Sequence, residues 1–183
     1  MKKIWGIAAA IACVPGVAAA QDFDGARIEA RIGYETPTVS EDNDVYKIGS
    51  ALSYGGEIGF DFKANKVVVG PYANYEFSSV ELCDGGDCLG EKGNLSVGGR
   101  IGVIVGQRGL IYAKAGYASI EFEASSGGAS VSESKSGIQG SLGFEFGLGK
   151  FYGFVEGSYA DYGKFYDINL QRRQVAGGVG IRF

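Results

Sequence analysis

Histidine is absent from the 183 residues. Ser-His-Asp triads, Cys-His pairs and imidazole metal sites are therefore excluded. Proline is scarce at 3 and cysteine equally so at 3, against 32 glycines and 11 each of tyrosine and phenylalanine. After residue 20 no stretch stays apolar for about 18 residues, which excludes a membrane-spanning helix. Basic residues are also in deficit. If Lys2 and Lys3 leave with a cleaved leader, 15 basic side chains face 21 acidic ones, a net charge of −6. Nucleic-acid binding, which calls for a basic patch, is not expected. No period of 20–50 residues stands out, so a solenoid or propeller is not indicated.

The N-terminus reads as an export signal. Lys2 and Lys3 precede the short apolar run Ile4–Ala12, and Ala18-Ala19-Ala20 before Gln21 has the form of a cleavage site. A signal peptide over 1–20 and one domain over 21–183 are expected. The rival reading of Cys13 as a lipidated cysteine is disfavoured by Ala10 and by the Val14-Pro15 that follows. Cleavage leaves two cysteines, Cys83 and Cys88, in the run C-DGGD-C. An even count in an exported chain predicts a disulfide that staples a loop. The spacing is not the C-x-x-C of redox centres.

Alternation of period two dominates the rest. Val175–Phe183 puts Val175, Gly177, Val179, Ile181 and Phe183 on one face and Ala176, Gly178, Gly180 and Arg182 on the other. Ala26–Glu35 alternates in the same way, with Ile28 and Ile32 opposed to Arg27, Glu29 and Arg31. Further strands are expected over 46–62, 67–78, 94–105, 110–123, 137–148 and 151–159, with the closing strand from Gln171. Pro71 predicts a local irregularity, and a slip of phase near Ile120 and Phe122 predicts a bulge. Tyr152 and Phe154 fall on the polar face and weaken the strand at 151–159. Tight turns lie at 63–66, 106–109 and 149–150. Polar loops are expected at 36–45, 79–93, 124–136 and 160–170. The short turns carry Lys63, Lys66, Arg108 and Lys150, whereas the long loops are rich in acidic residues such as Glu41, Asp42, Asp84 and Glu91.

Eight strands near ten residues long, with short turns at one end and long loops at the other, are the pattern of an antiparallel up-and-down transmembrane β-barrel with its apolar face in lipid. Together with YGGEIGFDF, VVGPYANYEF, YAKAGYA and the ending QVAGGVGIRF, the whole mature chain resembles the small outer-membrane β-barrels, the OmpA-type, OmpX-type and opacity-like proteins. The resemblance implies a bacterial outer-membrane location and contact with outer-membrane lipids and lipopolysaccharide. It further implies monomers, and handling by the barrel assembly machinery through a C-terminal aromatic matched by Phe183. Barrel-shaped hydrolases of that membrane depend on a histidine, so an enzyme is not expected, nor is any cofactor.

The inward face carries Arg27, Glu29, Arg31, Glu57, Asp61, Glu76, Arg100, Lys114, Glu145, Glu156, Arg172 and Arg182. These charges could line a selective pore or pair into a plug, and eight strands leave an interior that side chains fill. Asp84 and Asp87 fall short of the six to eight oxygens of a Ca²⁺ site. Gly98-Gly99 and Gly177-Gly178 lack the Lys-Ser/Thr of a phosphate loop. Two functions stay in play: a structural or surface-interaction barrel that binds an extracellular ligand through its loops, or a narrow porin-like channel. Deleting Phe183 is expected to lower the amount of barrel inserted in cells more than the unfolding stability of the protein already folded. Outer-membrane fractionation beside urea unfolding measures both, and unchanged insertion refutes the role.

Overall fold

A backbone that crosses hydrocarbon must satisfy every N–H and C=O within itself, and a chain of period-two segments does so by pairing its strands and closing the sheet. The computed structural model describes residues 22–41, 44–47, 50–78, 81–84, 87–126, 129–165 and 168–183. The leader expected over 1–20 lies outside them. Ten strand segments follow in order: β1 (Gly25–Glu41), β2 (Asp44–Lys47), β3 (Ala51–Ala64), β4 (Val67–Ser78), β5 (Glu81–Asp84), β6 (Asp87–Val105), β7 (Gly109–Ser126), β8 (Ala129–Leu148), β9 (Phe151–Phe165) and β10 (Ile168–Arg182). β2 continues the line of β3 and β5 that of β4, so the segments build eight antiparallel barrel strands. Each pairs with its neighbour, and β10 pairs back onto β1 from Arg182 opposite Arg27 to Asn169 opposite Ser40.

Outside faces lipid. Thirty large apolar side chains among the described residues are exposed, Ile138 and Leu142 each at 70%. Water would not tolerate such a surface. Along β8 the outward series runs Ile138, Gly140, Leu142, Phe144, Phe146 and Leu148, and above it the outward residues are Ser132, Ser134 and Ser136. Eleven residues at roughly 3.3 Å each, tilted by about 40°, span the ~25 Å apolar band of an outer-membrane barrel. Tyr34, Tyr54, Tyr75, Tyr117 and Tyr159 ring the end of the long hairpins. Phe60, Phe62, Phe146, Phe151 and Phe183 ring the end of the short turns. Those turns use left-handed backbone at Asn65, Gly106 and Gly149.

The four expected long loops are a point of correction. Strand structure runs through most of 36–45, 79–93, 124–136 and 160–170, and only pairs of residues such as 127 and 128 lie outside the described chain. Alternation marks a strand only where its two faces meet different media. Above the band both faces meet water, so the ladder continues while the pattern that reveals it fades. The phase of β7 does not slip at Ile120, which faces inward and is buried. The extra residue is instead in β6, where the register to β7 shifts between Glu91 and Gly93. At Pro71 the ladder between β3 and β4 lapses between the Gly59–Tyr72 and Phe62–Val69 pairs without changing register, in line with a proline that lacks an N–H.

Above the band the barrel divides. β8 pairs with β9 only from Ile138 opposite Asp161 downward, and β3 with β4 only from Ser53 opposite Ser78 downward. Among the described residues no ladder joins β2 to β5. Two four-stranded sheets result, β5-β6-β7-β8 and β9-β10-β1-β2. β9 leaves β8 where Gly163 turns left-handed at φ 76 and its N–H donates to Asp161 Oδ1 at 2.9 Å.

The β5–β6 register sets Cys83 directly opposite Cys88; their side chains lie outside those described. Facing residues of an antiparallel pair stand about 4.5–5.5 Å apart at Cα, within the range that a disulfide spans. Purified mature protein is expected to resist thiol alkylation until it is reduced. Mass spectrometry showing two alkylated cysteines before reduction refutes the staple.

Candidate functional site

Odd residues of β1 from Arg27 to Glu35 and even residues of β7 and β10 point inward, as the pleat dictates. The structure buries all twelve of the charged positions read as inward, and it brings them into one continuous ion-pair system. At its centre the Glu57 carboxylate meets Arg27 at 2.7 Å, Arg31 at 2.8 Å and Lys114 at 2.7 Å. Glu156 bridges Arg31 at 2.8 Å and Lys114 at 2.7 Å. Toward the short turns, Glu145 holds Arg100 at 2.5 Å and Arg182 at 2.8 Å, and Asp61 also meets Arg182 at 2.7 Å. Toward the long hairpins, Arg172 Nη2 reaches Glu76 at 3.0 Å, and Glu76 returns to Arg31 at 2.8 Å. Glu29 closes the set on Arg27 at 2.5 Å.

Several partners were not on the list read from the sequence. Glu35 accepts from Arg172 Nε at 2.6 Å and from Ser78. Gln174 donates to Ser53 at 2.6 Å and to Glu76 at 2.5 Å. Both share the parity of residues already read as inward, so alternation alone was enough to find them. Tyr152, taken as a sign against its strand, is what the interior needs. Its hydroxyl donates to Glu29 at 3.0 Å, and its ring lies 4.8 Å from the Arg182 guanidinium carbon. Tyr112 does the same with Glu156 at 2.9 Å and Arg100 at 4.1 Å. An amphipathic ring thus serves a lumen of charges better than an aliphatic chain could. Each ring lies across an inward glycine, Tyr152 over Gly180 and Tyr112 over Gly143, where any Cβ would collide with it.

Two apolar layers cap the charges. At the short-turn end Phe23 is 1% exposed and packs with Val68, Leu110 and Tyr112. Phe23, in phase two residues before Gly25, therefore supplies a stopper. Asp24 anchors it by accepting from the Lys63 N–H at 2.8 Å. At the other end Ala118, Ile120, Ala160 and Tyr162 form a second cluster, with Leu170 against it and Asn94 bonded to the Tyr162 hydroxyl. Among the described residues no group of three or more His, Cys, Asp or Glu side chains could hold a metal ion. Acidic residues stand beside guanidinium groups instead. The arrangement ties eight strands together through buried ion pairs and two apolar layers.

Removing the charge of Glu57 takes one carboxylate from each of three buried cations, Arg27, Arg31 and Lys114, and breaking a buried pair costs about 3–5 kcal/mol. Glu57→Gln is expected to lower unfolding stability by about 3 kcal/mol. Urea titration of lipid-folded protein, read by the folded-band shift on unheated gels, measures it. A loss below about 1 kcal/mol would place the network's stability elsewhere.

A family profile described as the outer membrane protein β-barrel domain matches residues 6–183. No curated protein matches the chain. Among solved structures, Ail, the attachment invasion locus protein of Yersinia pestis, in complex with the heparin analogue sucrose octasulfate, is 18% identical. That match covers 86% of this chain and 99% of Ail, with a TM-score of 0.57. Neisserial surface protein A is 13% identical over 87% of this chain and 100% of its own, with a TM-score of 0.62. OprG from Pseudomonas aeruginosa is 12% identical over 90% and 98%, with a TM-score of 0.51. At these identities the likeness carries the fold alone.

Proposed function

The chain belongs to the outer membrane protein β-barrel domain family, and from that premise we propose that it is a surface-interaction barrel of the outer membrane, non-enzymatic and non-conducting. The observation that carries this reading is the ion-pair network set between two apolar layers. An ion passing through would have to displace the Phe23 layer, break the pairs around Glu57 and Glu156, and then part the Ile120–Tyr162 layer. The narrow-channel alternative needs a water-filled path between those layers. The surface role draws further support from the strands themselves, which rise beyond the apolar band as two sheets.

In this reading the barrel is an anchor and the ligand-facing part is the outer end. The polar faces there suit a hydrophilic partner, and Ail forms a complex with such a ligand, sucrose octasulfate. The girdle tyrosines settle among the headgroups of lipopolysaccharide. Phe183 is the assembly signal: it is outward and 66% exposed, and its N–H donates to Ala26 at 2.9 Å across the closing seam. Within the apolar band a single barrel satisfies its own backbone, and the protein works as a monomer within its membrane.

Proteoliposomes carrying the purified protein are expected to swell in arabinose no faster than empty vesicles. Planar bilayers are expected to show no reproducible ion-selective steps. Steady single-channel conductance would overturn the reading in favour of the channel.

A further inference from the structure

β8 is paired along nearly its whole length on one side and only half of it on the other. From Ala129 to Phe146 it pairs with β7, beginning with Ser126 opposite Ala129. Its ladder to β9 begins only at Ile138. The backbone groups of 129–137 that face the seam therefore have no strand partner among the described residues. The cause is local, since the Asp161–Gly163 turn carries β9 away. Such an edge, above the membrane and in water, is a template for another strand. It carries no proline and no register shift, two of the devices that blunt an edge.

Its sequence selects the partner. Residues 132–136 read SESKS. Paired antiparallel with itself about Ser134, the segment sets Ser132 opposite Ser136 and Glu133 opposite Lys135, each twice. Facing residues of an antiparallel pair share one face of the sheet, where opposite charges attract and like charges repel. A guarding charge of one sign would repel every copy of the same edge, whereas this pair accommodates it. The symmetry is that of a twofold, isologous contact. Orientation then decides where the second copy sits. β8 descends toward its own membrane, so two copies in one membrane present parallel edges. Two copies on membranes that face each other present antiparallel ones.

Resting on the surface-interaction reading, we propose that the β8 edge at 129–137 pairs antiparallel with the same edge of a second copy on an apposed membrane, so that the protein joins surfaces that both display it.

Two vesicle populations carrying full-length mature protein, labelled with a donor and an acceptor dye, test the register. Wild-type vesicles are expected to cluster. Glu133→Lys alone sets lysine against lysine, and Lys135→Glu alone sets glutamate against glutamate; each is expected to lower clustering about tenfold or more. Mixing the two variants restores both pairs, and so does the double reversal within one chain, so clustering is expected to return in both cases. The folded-band shift on unheated gels verifies that each variant is folded. Dispersed wild-type vesicles, single variants that cluster as wild type does, or a mixture that stays dispersed would each overturn the proposal. Those outcomes reject the β8 contact alone; the surface role itself stands or falls on the swelling and conductance assays.

Discussion

Hydrocarbon offers no partner to a peptide group, and the structure follows from that constraint. A flat sheet would leave two bare edges in lipid. Closure of β10 on β1 removes both, and it requires the first and last strands to carry compatible faces. They do: Ile28 lies opposite Ile181 on the lipid side, and Arg27 opposite Arg182 on the inner side. The constraint ends where the membrane ends. Above Ile138 and Ser53 the peptide groups can turn to water, and there the seams β8–β9 and β3–β4 open. The same backbone chemistry that forbids an edge at one height permits it a few residues higher.

Closure with eight strands creates a second problem, a narrow tube lined by every other side chain. The inner positions carry six cationic and seven anionic side chains among the described residues. Each charge would be costly alone; the solution is to share. Glu57 serves three cations, and Arg31 serves three carboxylates. Such sharing needs long side chains of both signs from many strands, which is why the network links β1, β3, β4, β6, β7, β8, β9 and β10. Tyrosines laid across glycines fill the remaining space and complete hydrogen bonds that aliphatic residues could not. A buried network of this kind is weak support for net stability but a strong selector of register. Sliding β10 by one residue would put Arg182 in lipid and Ile181 among the carboxylates.

Most of the membrane-embedded fold was legible because two media act on two faces of each strand. The alternation that identifies Ile28 as lipid-facing identifies Arg27 as inward, and the eight strands, the three tight turns and the twelve buried charges follow from it. What stayed hidden is what that contrast does not govern. Strand extensions such as 129–136 meet water on both sides and looked like loops. Phe23 lies just before β1 rather than in a strand. Tyr152 and Phe154 interrupt the polar inner face because the lumen needs rings to pack against its cations, Arg182 on Tyr152 and Arg31 on Phe154. Which carboxylate meets which guanidinium is likewise a matter of tilt and register between strands distant in sequence, as with Arg31 and Glu156.

The interior and the outer end divide the work of the molecule. Two apolar layers and a shared ionic network brace the eight strands from within the lumen. That rigidity suits the sheets above it. A strand presented for pairing loses least entropy on binding when it is already extended and held on one side. β8 meets both conditions, since β7 holds it from Ala129 to Phe146 and the band below anchors it through Leu142, Phe144 and Phe146. The charges at Glu133 and Lys135 then matter less for strength than for choice. They admit an edge of complementary order and turn away edges of like charge, and a strand whose order is complementary to itself admits its own kind.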